Sequence, residues 1–235
     1  MKKLYDKSEL HFSLAWIIGY VVLFSVADSF SESLGFEKIV TAPIGVVLVL
    51  FLFLWMKKHD LLKEYGLCAF QGNWKHYLYF LPLLILMSVN LWNGVTMKVS
   101  AGETVIFILS MLCVGFLEEI IFRGFLFKAI CQNNVKSAIV VSSVTFGIGH
   151  IVNLLNGADF LPTLLQICYA IAIGFLFTII FYKGKSLLPC ILTHGVLNSL
   201  SIFAIQGSRT MDIVTAIVIC VICAGYVAWI LKKGK

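Results

Sequence analysis

Two glutamates stand side by side in an apolar run, Gly115-Phe116-Leu117-Glu118-Glu119-Ile120-Ile121-Phe122-Arg123. Two histidines, His150 and His194, stand in other apolar runs, and Asn198 follows His194 by four residues. A carboxylate at membrane depth costs at least ~2.5 kcal/mol even on lenient insertion scales. Residues kept at that cost are expected to have a use. Carboxylates and imidazoles inside a hydrophobic body can take up and deliver protons, and an amide or imidazole N–H can meet developing negative charge.

Spacing assigns faces to these groups. Glu119 and Arg123 are i and i+4, so they share a helix face and can pair. Phe146 and His150 have the same spacing, as do His194 and Asn198. Glu118 is turned by about 100° from Glu119. One carboxylate is therefore expected to be free for chemistry, Glu118, while Glu119 holds Arg123. Gly147 and Gly149 precede His150, Gly195 follows His194 and Gly124 follows Arg123. Small residues let membrane helices approach closely. Structural readings stand beside these: the Glu119–Arg123 pair can lock helices, either histidine or Asn198 can bridge two helices, and Phe146 can simply pack.

The elements that must position these residues follow from composition. Of 235 residues, 60% are hydrophobic and 13% charged, against roughly 45–50% and about 25% in soluble domains. This predicts an all-α, polytopic helical membrane bundle, with residues 1–235 forming one integral-membrane domain. Apolar runs predict about eight transmembrane helices, at 12–31, 39–56, 77–95, 104–130, 137–155, 160–182, 187–205 and 213–231. The run after the charged amino terminus is too long for a signal peptide and reads as a retained first helix. The seven cysteines are scattered through apolar runs and suggest no disulfide framework.

Basic residues sort onto two sides of these spans. Lys2, Lys3, Lys7, Lys57, Lys58, Lys63, Lys75, Arg123, Lys128, Lys136, Lys183, Lys185, Lys232, Lys233 and Lys235 fall on one side, 15 of the 18. Lys38, Lys98 and Arg209 fall on the other. The positive-inside rule then places both termini in the cytoplasm. The net charge of +6 is accounted for by loops facing anionic lipid and calls for no nucleic-acid partner. By helix rise, Glu118 lies ~18 Å, His150 ~20 Å, His194 ~10 Å and Asn198 ~16 Å from the cytoplasmic ends of their spans. The four are expected to share the middle band of the bilayer.

In chain order, Glu118-Glu119-x-x-x-Arg123, Phe146-x-x-x-His150 and His194-x-x-x-Asn198 resemble the CAAX protease and bacteriocin-processing (Abi) family, relatives of the type II CAAX prenyl endopeptidases. The resemblance covers about 104–205. It implies an all-helical intramembrane endopeptidase with its site in a cavity facing the cytoplasm. It implies that Glu118 and His150 hold and activate the attacking water, and that His194 and Asn198 stabilise the oxyanion. Substrates in such a family range from prenylated tails to bacteriocin leaders and peptide pheromones. A short chain without extra domains is expected to belong to the prokaryotic branch, in a plasma membrane, with peptide processing or bacteriocin self-immunity as its role.

The favoured reading requires no cofactor; the alternative is zinc or another divalent metal at Glu118, His150 and His194, a His₂Glu set. The expected partners are a membrane-associated peptide or protein and the lipid bilayer. Two other functions compete with the peptidase: a non-catalytic scaffold or regulator on the same fold, and a proton-coupled transporter.

Overall fold

The computed structural model describes residues 1–233, and these form an all-α bundle. In chain order the helices are α1 (Lys2–Lys7), α2 (Glu9–Ser33), α3 (Thr41–Lys58), α4 (Leu81–Met87), α5 (Ala101–Cys131), α6 (Val135–Gly149), α7 (Val152–Leu155), α8 (Phe160–Gly184), α9 (Leu188–Ser199) and α10 (Arg209–Lys233). Six of them are long and apolar enough to cross a membrane: α2, α3, α5, α6 together with α7, α8 and α10. The chain is a multi-pass membrane protein. Polar caps start the helices where the apolar runs begin. The Ser8 side chain accepts from the His11 N–H, Asn134 from that of Ser137, and Ser100 forms a capping box with Glu103.

Two of the eight expected spans are shorter than the sequence suggests. The 77–95 run contains only α4, flanked by 3₁₀ turns at Trp74–Phe80 and Val89–Leu91. Pro82 lies in the first turn of α4 and cannot be reached by a helix from its amino-terminal side, because its ring would clash with the carbonyl of Leu78. Leu78, Tyr79 and Phe80 instead take left-handed backbone angles. At the far end, the Asn90 amide leaves its own helix and donates to the Leu197 carbonyl at 2.6 Å. The 187–205 run forms an apolar helical stretch over Leu188–Phe203, also begun at a proline, Pro189.

Inside α5 the residues Glu119–Leu126 form a π-helix. Such wide turns disturb the regular hydrogen-bond ladder and occur often at functional sites. Here the Ser142 hydroxyl of α6 donates to the Phe122 carbonyl at 2.8 Å, tying the π turn to its neighbour.

Close helix crossings then fix the bundle. A Cβ on Gly115 of α5 would lie 2.6 Å from the backbone nitrogen of Gly195 in α9. Glycine at both positions lets the two backbones touch. Gly147 of α6 meets the Ile171 backbone of α8 in the same manner, at 2.9 Å from an added Cβ.

The two ends of the bundle are distinct. Tyr5 and Tyr65 join hydroxyls at 2.9 Å, the Gln71 N–H donates to the Gly184 carbonyl at 2.9 Å, and the Trp229 indole donates to the His76 carbonyl at 3.0 Å. Both terminal helices and the lysine-rich loops therefore share one face. On the opposite face Lys38 pairs with Asp28 at 2.9 Å, and the Thr96 N–H donates to the Phe203 carbonyl at 2.9 Å. Arg123 belongs to neither: it is fully buried in α5 and is removed from the count of loop charges. Lys235 lies outside the described residues.

Candidate active site

The Gly115–Gly195 crossing sets α9 directly against the acidic stretch of α5. One turn along from Gly115, Glu119 is fully buried, and its Oε1 accepts from Arg123 Nη1 at 3.1 Å. The same oxygen lies 2.9 Å from His194 Nδ1. A carboxylate only accepts, so Nδ1 carries the hydrogen. The other ring nitrogen, Nε2, is thereby turned toward Glu118, whose Oε2 lies 3.5 Å away. His194 thus bridges the two carboxylates through its two nitrogens. Glu119 holds both Arg123 and the imidazole, a second contact that spacing within one helix could not reveal.

Glu118 points the other way, into a cavity of about 700 Å³. Its side chain keeps 16% exposure while that of Glu119 has none. Its Oε1 accepts from the Tyr20 hydroxyl of α2 at 2.8 Å. Tyr20 was not singled out from the sequence. Its only signal is a phenol in the middle of an apolar helix, where a buried hydroxyl needs a partner.

His150 caps the end of α6 and lines the same cavity. Its Nδ1 donates to the Phe146 carbonyl at 3.2 Å, which leaves Nε2 as its free acceptor. Asn198, one turn beyond His194, also lines the cavity. Phe146 sits beneath the group. Its ring makes edge contacts with His150 and His194, with centroids 5.3 and 5.6 Å apart, and the Arg123 guanidinium stacks over it at 4.0 Å. The arginine is held by a carboxylate on one side and an aromatic face on the other, a geometry that suits guanidinium better than ammonium.

The structure therefore brings Glu118, His150, His194 and Asn198 to one cavity, with Glu119, Arg123 and Phe146 packed around His194. Among the described residues no three His, Cys, Asp or Glu side chains form a cluster able to hold a metal ion.

The cavity extends from the site toward one end of the bundle. Its outer lining comes from Asp28 near the end of α2, Lys38 between α2 and α3, Asn93 before α5, Asn156 after α7 and Gln206 before α10. All of these lie on the face opposite the termini and the lysine-rich loops. No residue of the termini or of the lysine-rich loops is among those that line the cavity.

No curated protein and no solved structure matches the chain. Residues 100–200 match the family model described as Type II CAAX prenyl endopeptidase Rce1-like, consistent with the CAAX protease and bacteriocin-processing family of intramembrane proteases, and the match supports CAAX-type endopeptidase activity in general.

Proposed function

We propose that this chain is an intramembrane endopeptidase that hydrolyses a peptide bond of a membrane-associated peptide or protein with a glutamate-activated water. The observation that carries the reading is the pairing of an accessible carboxylate, Glu118, with an imidazole whose far side is held by a buried carboxylate, Glu119.

The steps follow from the geometry. Water bound beside Glu118 Oε2 and the free nitrogen of His150 gives a proton to Glu118 as its oxygen attacks the scissile carbonyl carbon. The C=O π electrons move to oxygen. With a proton on Nε2, His194 is a donor aimed into the cavity, and with the Asn198 amide it can meet that oxyanion. The intermediate collapses, the C–N bond breaks, and Glu118 returns the proton to the leaving amine. Glu119 fixes the tautomer and angle of His194, as a buried carboxylate does in other hydrolases. Arg123 balances the charge of Glu119.

This mechanism uses no metal. Zinc or another divalent cation at Glu118, His150 and His194 is the rival version. Chelator sensitivity and elemental analysis of active protein decide between them.

The substrate is proposed to be a small peptide, such as a bacteriocin or pheromone precursor, in a prokaryotic plasma membrane, with both termini of the chain cytoplasmic. Processing or self-immunity would be the physiological outcome. A comparison of peptide masses from cells with and without the gene tests this: a precursor that accumulates only without the gene supports it, and identical profiles oppose it.

A further inference from the structure

The charged residues and the cavity divide the molecule in opposite senses. Lys2, Lys3, Lys7, Lys57, Lys58, Lys63, Lys75, Lys128, Lys136, Lys183, Lys185, Lys232 and Lys233 belong to the face of the termini, and Lys38, Lys98 and Arg209 to the other. Basic loops stay in the cytoplasm and are attracted to anionic lipid there. The mouth of the cavity, at Asp28, Lys38, Asn93, Asn156 and Gln206, lies on the face with few basic residues. We propose that the site is filled from the extracytoplasmic side, and that its substrate is a stretch of polypeptide without acidic groups presented there, such as the outer end of a membrane-anchored or exported peptide. This rests on the peptidase reading for the word substrate, but the direction of opening does not.

The lining defines the class of ligand. Besides Asn198, six carboxamides line the cavity: Asn90, Asn93, Asn153, Asn156, Gln166 and Gln206. Each can both donate and accept, and so can pair with any peptide backbone regardless of side chain. Two are already partly engaged, since Asn153 donates to Gln166 at 2.9 Å and Asn90 donates to the Leu197 carbonyl. The one lysine or arginine in the lining, Lys38, pairs with Asp28 at 2.9 Å, and Asp212 and Glu118 add negative charge. A phosphate or an acidic tail therefore finds no free cation. Deeper in, Val21, Phe24, Phe122 and Phe177 supply apolar wall around Glu118, His150, His194 and Asn198. The volume of about 700 Å³ falls in the range of pockets that bury a drug-sized ligand, the scale of a few extended residues.

The experiment is thiol labelling of the full chain in bacterial cells, after replacement of its seven cysteines. Ser25→Cys is nearly isosteric and lines the cavity, Asn156→Cys is exposed at its mouth, and Lys136→Cys is exposed on the basic face. A small membrane-impermeant thiosulfonate should label Ser25→Cys and Asn156→Cys in intact cells, and Lys136→Cys only after permeabilisation. Labelling of Lys136→Cys in intact cells, or of Ser25→Cys from the cytoplasmic face alone or from neither face, overturns the proposal. The pattern should be unchanged in a Glu118→Gln background. A failed orientation and a failed peptidase reading are thus separate results.

Discussion

Nδ1 of His194 lies 2.9 Å from Oε1 of Glu119, an oxygen that also receives Arg123 at 3.1 Å. The buried ion pair is therefore part of the site and not only a staple within α5. It fixes which imidazole nitrogen meets the cavity. Removing either partner leaves the other charged and buried, which typically costs about 3–5 kcal/mol. Arg123→Ala should lower the thermal unfolding temperature markedly. Arg123→Lys should recover only part of it, since an ammonium lacks the planar stack on Phe146. A lysine variant as stable and active as the parent would show that the stacked fork is unimportant.

Tyr20 donates to Glu118 at 2.8 Å from a helix that lies outside the matched residues 100–200. Tyr20→Phe removes one hydrogen bond to a charged group, worth about 1.5–3 kcal/mol. The ring still packs against Phe24 at 4.4 Å, so the fold should survive. We expect kcat to fall by roughly tenfold or more with KM little changed, which steady-state peptide cleavage would measure. A variant with wild-type kcat would remove Tyr20 from the account.

Asn198 lines the cavity one turn from His194. Asn198→Ala should cost about 10²–10³ in kcat if its amide meets the oxyanion. Thermal unfolding should move little, because no side-chain partner within the bundle is lost. The reverse outcome, a destabilised protein with normal turnover, would make Asn198 a helix bridge.

Gly115 sets the distance between α5 and α9. Gly115→Ala would put a methyl 2.6 Å from the Gly195 nitrogen and must part the helices. That separates Glu119 from His194, so activity should collapse. Gly124→Ala meets Tyr65 no closer than 3.6 Å and Gly149→Ala meets nothing within 4 Å, so both serve as tolerated controls. Full activity in Gly115→Ala would contradict the crossing described above.

Much of this arrangement was legible in the residues themselves. Polar groups in apolar runs are costly, so Glu118, Glu119, His150 and His194 drew notice, and i, i+4 spacing placed Arg123 beside Glu119. What sequence periodicity does not carry is contact between distant helices. The Tyr20–Glu118 and Glu119–His194 bonds span 98 and 75 residues. Hydropathy also counts an apolar run as a span whether or not a proline interrupts it, which is why the Pro82 segment was expected to be longer than α4. Loop charges sort the two faces, yet they say nothing of which face the cavity opens toward. That depends on which helix ends and loops line the cavity, Asn93, Asn156 and Gln206 among them.

The central claim is that Glu118 is the base that activates water. Glu118→Gln keeps the shape and can still meet Tyr20, but it cannot take up a proton. Cleavage of the accumulated precursor by purified Glu118→Gln protein, followed by mass spectrometry, tests the claim most directly. The account predicts intact precursor, with loss of at least ~10²-fold in rate, from a protein that unfolds at nearly the parent temperature. Precursor cut at the parental rate would contradict it and move the role of base to another group, whereas a parent protein that leaves the precursor intact would make a scaffold on the same fold the better description.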